Sequence, residues 1–90
     1  PALIIVGNNS AWGLEKHPMQ SIFGYDVAAD LAPQTRYDHV ASALGGAAEL
    51  ITSAKELGPA IKRGLTAGVP YLLNVITDTA IAYPRTTTGI

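Results

Sequence analysis

The sequence predicts an α/β fold, a partial doubly wound parallel sheet of about three strands with helices on its faces. Three observations predict it. Short apolar runs that end at glycine or at polar residues are typical of buried strands. Between them lie longer segments whose apolar residues recur every three or four positions, which is typical of amphipathic helices. The two kinds of segment alternate, and such alternation favours parallel strands joined by right-handed crossovers.

Composition limits the size of the fold and the classes of partner. The 90 residues form at most one domain; 48% are hydrophobic and 14% are charged, against about 25% charged in an average domain. So short and apolar a chain is expected to have its faces covered by more polypeptide or by a partner subunit. The net charge of −1 comes from scattered acidic and basic residues, which argues against nucleic acid and anionic membranes as partners.

Cysteine and leader patterns are missing from the sequence. Without cysteine there are no disulfide bonds and no thiolate metal sites. No charged-then-apolar leader pattern precedes the first apolar run, and no apolar run approaches the ~20 residues of a membrane-spanning helix. A cytoplasmic location is the expectation.

The first predicted strand is the apolar run from Ala2 to Val6, which fits a strand buried on both faces. Gly7, Asn8 and Asn9 follow it, at the end of a strand where an open α/β sheet binds its ligands. A carboxamide offers a neutral oxygen to a hard cation and two N–H donors to a phosphate. The alternative is that Asn8 and Asn9 only turn the chain.

A turn and a short helix are predicted next. Ser10 to Gly13 forms the turn, and Leu14 to Phe23 carries apolar residues among charged ones. Because Pro18 lacks an N–H, the helix is expected to begin near it, with the proline in its first turn, and to end at Gly24. Asp26 to Pro33 is expected to be a linker.

The second predicted helix follows Thr35, whose hydroxyl stands three residues before the carboxylate of Asp38, a near match to a capping box. Apolar residues then recur along one helical face, and Gly45 and Gly46 are expected to end the helix. The residues of that face are Tyr37, Val40, Ala41 and Leu44.

The third predicted helix begins at Ser53, which forms a full capping box with Glu56. Gly68 and Pro70 are expected to end it, and Pro59 is tolerated at little cost only within about the first turn. Its predicted buried stripe is Leu57, Ala60, Ile61 and Leu65.

Two more strands are predicted, at Ala47 to Thr52 and at Tyr71 to Ile76. The second of them ends at Thr77 and Asp78. Residues 1–78 are therefore expected to form the folded portion, and residues 79–90 an irregular tail.

The residues from Gly7 to Pro18 carry a resemblance to a known family. A buried strand followed by Gly7-Asn8-Asn9 and a short turn is similar to the closing half of the thiamin-diphosphate motif in the acetolactate synthase and pyruvate decarboxylase superfamily. That motif opens with Gly-Asp-Gly and closes with a pair of asparagines. The later segments, including Tyr83-Pro84-Arg85, are most similar to acetolactate synthase large subunits, so the resemblance covers nearly the whole chain.

The resemblance implies a role for each residue of the turn. Thiamin diphosphate and Mg²⁺ are the implied cofactors. The side-chain oxygen of Asn9 and the main-chain carbonyl of Ala11 are expected to coordinate the Mg²⁺ ion, which prefers oxygen ligands. The residues expected to lie against the diphosphate are Asn8, Asn9, Ser10, Ala11, Trp12 and Gly13.

Parts of the family's pattern are missing from these 90 residues. No Gly-Asp-Gly occurs, so the anionic metal ligand is missing, as is the glutamate that activates the cofactor from a different domain. The chain is therefore expected to hold no catalytic residue and to be the C-terminal portion of a longer thiamin-diphosphate enzyme. Its implied partners are the remainder of that enzyme, namely the pyrimidine-binding domain and the Gly-Asp-Gly segment, within an oligomer.

The activity implied for the intact enzyme is decarboxylation of a 2-keto acid such as pyruvate and ligation of the remaining unit to a second keto acid, as in branched-chain amino acid biosynthesis. Two alternatives stay open. One is a relative that cleaves oxalyl or 2-hydroxyacyl thioesters with the same cofactor, as an oxalyl-CoA decarboxylase or 2-hydroxyacyl-CoA lyase does. The other is a non-catalytic remnant that pairs with another chain through its apolar faces.

The remaining polar and aromatic side chains admit more than one role. His17 is interpreted as a solvated surface histidine rather than as a substrate contact. Trp12 either stacks at the entrance of the active site or packs at a subunit contact. Asn74, inside an apolar strand, is expected to form hydrogen bonds within the sheet rather than to act in catalysis.

Overall fold

Three parallel strands form one sheet in the computed structural model, which describes residues 1–81. The strands are β1 (Leu3–Asn8), β2 (Ala47–Ile51) and β3 (Tyr71–Ile76), and the helices are α1 (Gly13–Phe23), α2 (Tyr37–Ala43) and α3 (Ala54–Thr66). The strand order is β1-β3-β2, with β3 in the centre. The predicted α/β fold with three parallel strands is confirmed. From residue 82 onward, the predicted tail lies outside the described residues.

The packed core lies between the sheet and α3. Ile51, Ala60 and Leu73 are buried there. The partly buried apolar residues around them are Leu3, Leu57, Ile61, Tyr71 and Val75. Because side chains alternate between the two faces of a strand, the residues of β3 on either side of Leu73 face away from α3.

The predicted buried stripe of α3 is wrong at one position. Leu65 is 69% exposed, and Gly64 is buried in its place. A Cβ atom on Gly64 would lie 2.6 Å from Cδ1 of Leu3, so the glycine lets α3 approach the sheet closely at this point.

On the other face of the sheet, α2 leaves an open apolar groove beside β1. The groove has a volume of about 600 Å³. Its apolar side chains come from β1, β3 and α2 and are Ile4, Val6, Leu72, Tyr37, Val40, Ala41 and Leu44. The apolar face predicted for α2 therefore lines a groove rather than a closed core.

The expectation that the first strand is buried on both faces is wrong for this chain. Ile4 is 47% exposed and Ile5 is 52% exposed, although they lie on opposite faces. The reason is the position of β1 at the edge of the sheet, where it pairs only with β3.

The start of α1 also differs from the prediction. The helix begins at Gly13 because the carbonyl of Trp12 accepts hydrogen bonds from the N–H groups of Glu15 and Lys16. Pro18 therefore lies inside the helix and not in its first turn. The predicted end is confirmed, since Gly24 adopts a left-handed φ of 80° and its N–H bonds the carbonyl of Gln20.

Neither predicted capping box forms. The hydroxyl of Thr35 donates to the carbonyl of Ala32, and the residue that precedes α2 is Arg36. Ser53 does precede α3, but its side chain makes no capping hydrogen bond, and Glu56 bonds the carbonyl of Ser53 instead. Pro59 lies in the interior of α3, beyond the first turn, where a proline removes a helical hydrogen bond.

None of the helices within residues 1–81 combines the length and the apolar character needed to cross a membrane.

Candidate functional site

The turn that follows β1 brings the predicted site residues together. From Asn8 to Trp12 they line one cleft of about 230 Å³, together with Leu31 and Tyr37. The side-chain oxygen of Asn9 accepts a hydrogen bond from the N–H of Ala11 at 3.1 Å. This bond is typical of a turn formed by an asparagine with the backbone two residues on.

Ser10 has a left-handed φ of 61°, which is uncommon for a residue other than glycine. Three hydrogen bonds hold it there. Its N–H donates to the side-chain oxygen of Asn8 at 3.2 Å, its hydroxyl accepts from the N–H of Gln34 at 2.8 Å, and its carbonyl accepts from the N–H of Leu31 at 2.9 Å. The segment between α1 and α2 therefore fixes the conformation of the turn.

Two further bonds complete the attachment of the turn. The N–H of Trp12 donates to the carbonyl of Ala29 at 2.7 Å. The hydroxyl of Thr79, just beyond β3, donates to the carbonyl of Asn9. These bonds tie the turn to neighbours on both sides. Among the backbone hydrogen bonds of turns, loops and helix caps within residues 1–81, none is accepted by the carbonyl of Ala11.

The helix α1 begins directly at this cleft. Gly13, its first residue, packs so closely on the turn that a Cβ atom there would lie 3.0 Å from Nδ2 of Asn9. A helix N-terminus carries a partial positive charge and unpaired N–H groups, both of which suit an anionic ligand. Glu15 is an acidic residue in the first turn of this helix.

Asn8 and Asn9 face different surroundings although they are adjacent. Asn8 is buried, and its Nδ2 donates to the carbonyl of Thr35 at 3.0 Å and to Oδ1 of Asn74 at 3.1 Å. Both N–H donors of the Asn8 side chain are therefore used inside the fold. The side chain of Asn9 stays on the turn, with one lone pair of its oxygen beyond the bond to Ala11.

Behind Asn8 lies an ion pair in which the carboxylate of Asp38 is buried and the side chain of Arg36 is exposed. The guanidinium of Arg36 donates to both carboxylate oxygens of Asp38, at 3.0 Å from Nε and 2.6 Å from Nη2. The Arg36 bond, opposed by burial and assisted by Nδ2 of Asn74 at 3.0 Å, holds the pKa of Asp38 well below its usual range. Asp38 is therefore a carboxylate at neutral pH although it is buried.

Two aromatic side chains lie beside the turn. Trp12 is 57% exposed and lines the cleft, which fits either of its predicted roles. His17 is not the solvated surface histidine that the sequence suggested. It is only partly exposed, and its Nε2 is buried without a hydrogen-bond partner among the described residues. It packs near Gly13, where its ring lies about 4 Å from the position of an added Cβ atom.

The donor set of the cleft is neutral. Asn9 and Ala11 offer two oxygens of the kind that Mg²⁺ prefers, and the start of α1 suits a phosphate group. Within residues 1–81 no three histidine or acidic side chains lie together in a way that could hold a metal ion. The residues present therefore fit one edge of a magnesium and diphosphate site, to which a further, anionic ligand must be added.

Sequence reasoning did not assign Asp38, Arg36 or the carbonyl of Thr35 to this region. Asp38 was predicted only as a capping residue, because local spacing cannot show that a helix start lies under a sheet. Asn74 gave a usable signal, since a polar residue inside an apolar strand needs partners. Its partners are side chains and a carbonyl beneath the turn rather than only the sheet.

Comparison with known proteins adds a family likeness. The model of the thiamine pyrophosphate enzyme, C-terminal TPP binding domain, matches residues 1–75. The chain is 53% identical over 81 residues to a probable acetolactate synthase of Mycobacterium bovis and to an acetolactate synthase large subunit of Mycobacterium tuberculosis. Each alignment covers 90% of this chain and 15% of the relative, so the chain spans about one seventh of the length of these curated relatives.

Proposed function

The chain belongs to the thiamine pyrophosphate enzymes, and we propose that it forms the C-terminal part of an acetolactate-synthase-like enzyme, where it contributes one edge of the Mg²⁺ and diphosphate site. The observation that carries the proposal is the turn from Asn8 to Trp12. Asn9 and Ala11 line one cleft at the carboxyl end of a parallel strand, and α1 begins directly after this turn. Ligands of open α/β sheets bind at such ends.

In this proposal the Mg²⁺ ligands from the chain are the side-chain oxygen of Asn9 and the carbonyl of Ala11. A neutral amide and a carbonyl leave the charge of the metal available to the diphosphate. The anionic protein ligand comes from the Gly-Asp-Gly segment of the remaining enzyme. The two oxygens alone dehydrate Mg²⁺ poorly, so the site depends on the rest of the polypeptide.

The diphosphate lies against the turn and the start of α1. Asn8 acts by shaping the turn, since the N–H donors of its side chain are used inside the fold. Ser10 and Gly13 allow the close approach of the backbone, and Trp12 contributes an exposed ring at the mouth of the cleft. These contacts orient the cofactor and exclude water from one side of it.

When bound, thiamin diphosphate supplies the carbanion chemistry that breaks the bond between the carboxylate and the carbonyl of a 2-keto acid. We propose that the intact enzyme then transfers the remaining unit to a second keto acid, as an acetolactate synthase does. The contribution of this chain is to bind and orient. No residue of it is assigned as a catalytic acid or base.

The partner in this proposal is the remainder of the same enzyme, in an oligomer. The groove beside β1 supports it, because apolar side chains that line it, Ile4 at 47% and Val40 at 54% exposure, would be buried by further polypeptide. Among the described residues, the outer edge of β1 has no strand beside it. More of the polypeptide can pair and pack there.

Substitution of Asn9 in the intact enzyme tests the proposal. Asn9→Ala removes one of about six coordination positions, so the dissociation constant of thiamin diphosphate in the presence of Mg²⁺ should rise about 10- to 100-fold, or about 1.4 to 2.8 kcal/mol. Asn9→Asp keeps an oxygen but adds a negative charge beside the diphosphate, and it should have a smaller, measurable effect. Calorimetric titration gives both constants.

The control is Thr52→Ala. Thr52 is an exposed residue that directly follows β2, so it lies at the carboxyl end of a parallel strand, as Asn9 does. It should leave the dissociation constant unchanged. If Asn9 only turns the chain, both Asn9 variants will lower the melting temperature and leave cofactor binding where it was, which would refute the proposal.

A further inference from the structure

Asn74 joins three parts of the fold that are distant in sequence. It is fully buried in the central strand. Its Nδ2 donates to the carbonyl of Thr35 at 2.9 Å and to Oδ1 of Asp38 at 3.0 Å, while its Oδ1 accepts from Nδ2 of Asn8 at 3.1 Å. Every polar atom of the Asn74 side chain is therefore used.

The charge of Asp38 sets the direction of these bonds. A carboxylate only accepts hydrogen bonds, so the Asn74 amide must turn its N–H donors toward Asp38 and its oxygen toward Asn8. Asn8 must then present N–H donors to Asn74, which leaves its oxygen for the N–H of Ser10 at 3.2 Å. The carbonyl of Thr35 accepts from both amides as well, so Asp38 and this carbonyl together fix the orientation of the two amides, and the Asn8 oxygen carries it to the backbone of the turn.

The last member of this chain of bonds is the strained residue of the turn. A left-handed φ at a residue other than glycine is strained and persists only where surrounding contacts hold it. Ser10 follows Asn9 directly and precedes Ala11. The orientation of both proposed metal ligands therefore depends on how firmly Ser10 is held.

We propose that Asp38 and Asn74 are positioning residues for the metal and diphosphate edge. They act through Asn8 and Ser10 to set the orientation of the Asn9 side chain and the Ala11 carbonyl, and they touch neither metal nor cofactor. This inference rests on the proposed function of Asn9 and Ala11. It adds that the affinity of the site for the cofactor depends on two side chains buried beneath the turn, Asp38 of α2 and Asn74 of β3.

A second network between a carboxylate and an arginine in the same fold supplies a control. Glu49 accepts two hydrogen bonds from the guanidinium of Arg63, at 2.7 and 2.8 Å, and one from the hydroxyl of Tyr71. Like the Asp38 network it contains a carboxylate paired with an arginine and links a helix to the sheet, here α3 to β2 and β3. It makes no hydrogen bond to the turn, so its loss should affect folding without affecting the cofactor.

The experiment compares three variants of the intact enzyme: Asp38→Asn, Asn74→Ala and Glu49→Gln. Thiamin diphosphate is titrated calorimetrically at saturating Mg²⁺, and the melting temperature is measured without cofactor. All three variants should melt at lower temperature than the unaltered enzyme. Asp38→Asn and Asn74→Ala should raise the dissociation constant about tenfold, while Glu49→Gln should leave it within about twofold.

Coupling to Asn9 separates positioning from a general loss of stability. If Asn74 acts through Asn9 and Ala11, the double variant Asn74→Ala with Asn9→Ala should lose less affinity for the cofactor than the sum of the two single losses, because interacting residues are not additive. Additive losses would overturn the inference. So would unchanged affinity in Asp38→Asn, which keeps the shape of the side chain and remains informative if Asn74→Ala does not fold.

The same titrations distinguish the two proposals. If Asn9→Ala weakens binding but Asp38→Asn and Asn74→Ala do not, the positioning role fails and the proposed function stands. If Asn9→Ala has no effect, both fail. If Glu49→Gln weakens binding as much as Asp38→Asn does, affinity follows overall stability, which also overturns the inference.

Discussion

At the scale of single residues, the site depends on close packing between the turn and the first helix. Gly13 is the contact point, since any side chain there would meet Nδ2 of Asn9. Asn9 is otherwise held by the bond from the N–H of Ala11 to its side-chain oxygen and by the bond from the hydroxyl of Thr79 to its carbonyl. A small displacement at Gly13 is therefore transmitted to the side chain that we propose as a metal ligand.

Gly13→Ala should separate stability from binding. Alanine favours a helix over glycine by up to about 1 kcal/mol, so the melting temperature of the intact enzyme should not fall. The added Cβ should push the Asn9 amide by a few tenths of an ångström and raise the dissociation constant of the cofactor about three- to tenfold. Thermal melting without cofactor and calorimetric titration with Mg²⁺ measure the two effects.

Ser21→Ala is the control, because Ser21 is an exposed residue of the same helix and does not contact the turn. It should leave the affinity unchanged. Unaltered affinity in Gly13→Ala as well would contradict the packing account of Asn9.

Single residues also show how far the site can be predicted from sequence. The roles proposed for Asn9 and Ala11 come from the resemblance of the asparagine pair to the thiamin-diphosphate motif, a signal that lies within a few residues of the chain. Asp38 does not, because its importance comes from burial under the sheet and from contact with Asn74, which is 36 residues away. His17 was misjudged for the same reason, as its burial depends on the fold of the turn.

At the scale of secondary-structure elements, the fit of α3 on the sheet depends on Gly64. Its Cβ position would lie 2.6 Å from Leu3 and 3.1 Å from the ring of Tyr71. Leu3 and Tyr71 are paired across β1 and β3, so the side chains of both would have to move to admit a larger residue.

Gly64→Ala should therefore destabilise the fold by about 1 to 3 kcal/mol, in spite of the better helix propensity of alanine. The free energy of unfolding in denaturant measures it. Lys62→Ala, an exposed substitution on the same helix, should stay within about 0.5 kcal/mol. A Gly64→Ala variant as stable as the Lys62→Ala variant would show that α3 is free to move away from the sheet.

The elements themselves were predicted with unequal success. Strands β2 and β3 and the ends of all three helices follow from apolar runs and from glycine, because these signals are local. The capping boxes failed, since Thr35 bonds the carbonyl of Ala32 and Ser53 makes no side-chain cap. The spacing of a capping box permits the bonds, but the backbone around the helix start decides whether they form.

At the scale of the whole molecule, the two faces of the sheet differ. The packed core lies on the face that α3 covers, whereas on the opposite face α2 leaves a groove open beside β1. Composition predicted that apolar surface would be left for other polypeptide to cover, because a chain with 48% hydrophobic residues cannot bury them all in so small a fold. Composition could not show which surface stays open. That surface is set by the strand order, which leaves β1 at the edge.

The most direct test of the account is a crystal structure of the intact enzyme with Mg²⁺ and thiamin diphosphate bound. The account predicts that the side-chain oxygen of Asn9 and the carbonyl of Ala11 both lie about 2.0 to 2.1 Å from the metal, with a carboxylate from another segment completing the protein ligands. It also predicts that the groove beside β1 is covered by other polypeptide. A metal ion bound to the cofactor without either Asn9 or Ala11 would contradict the central claim.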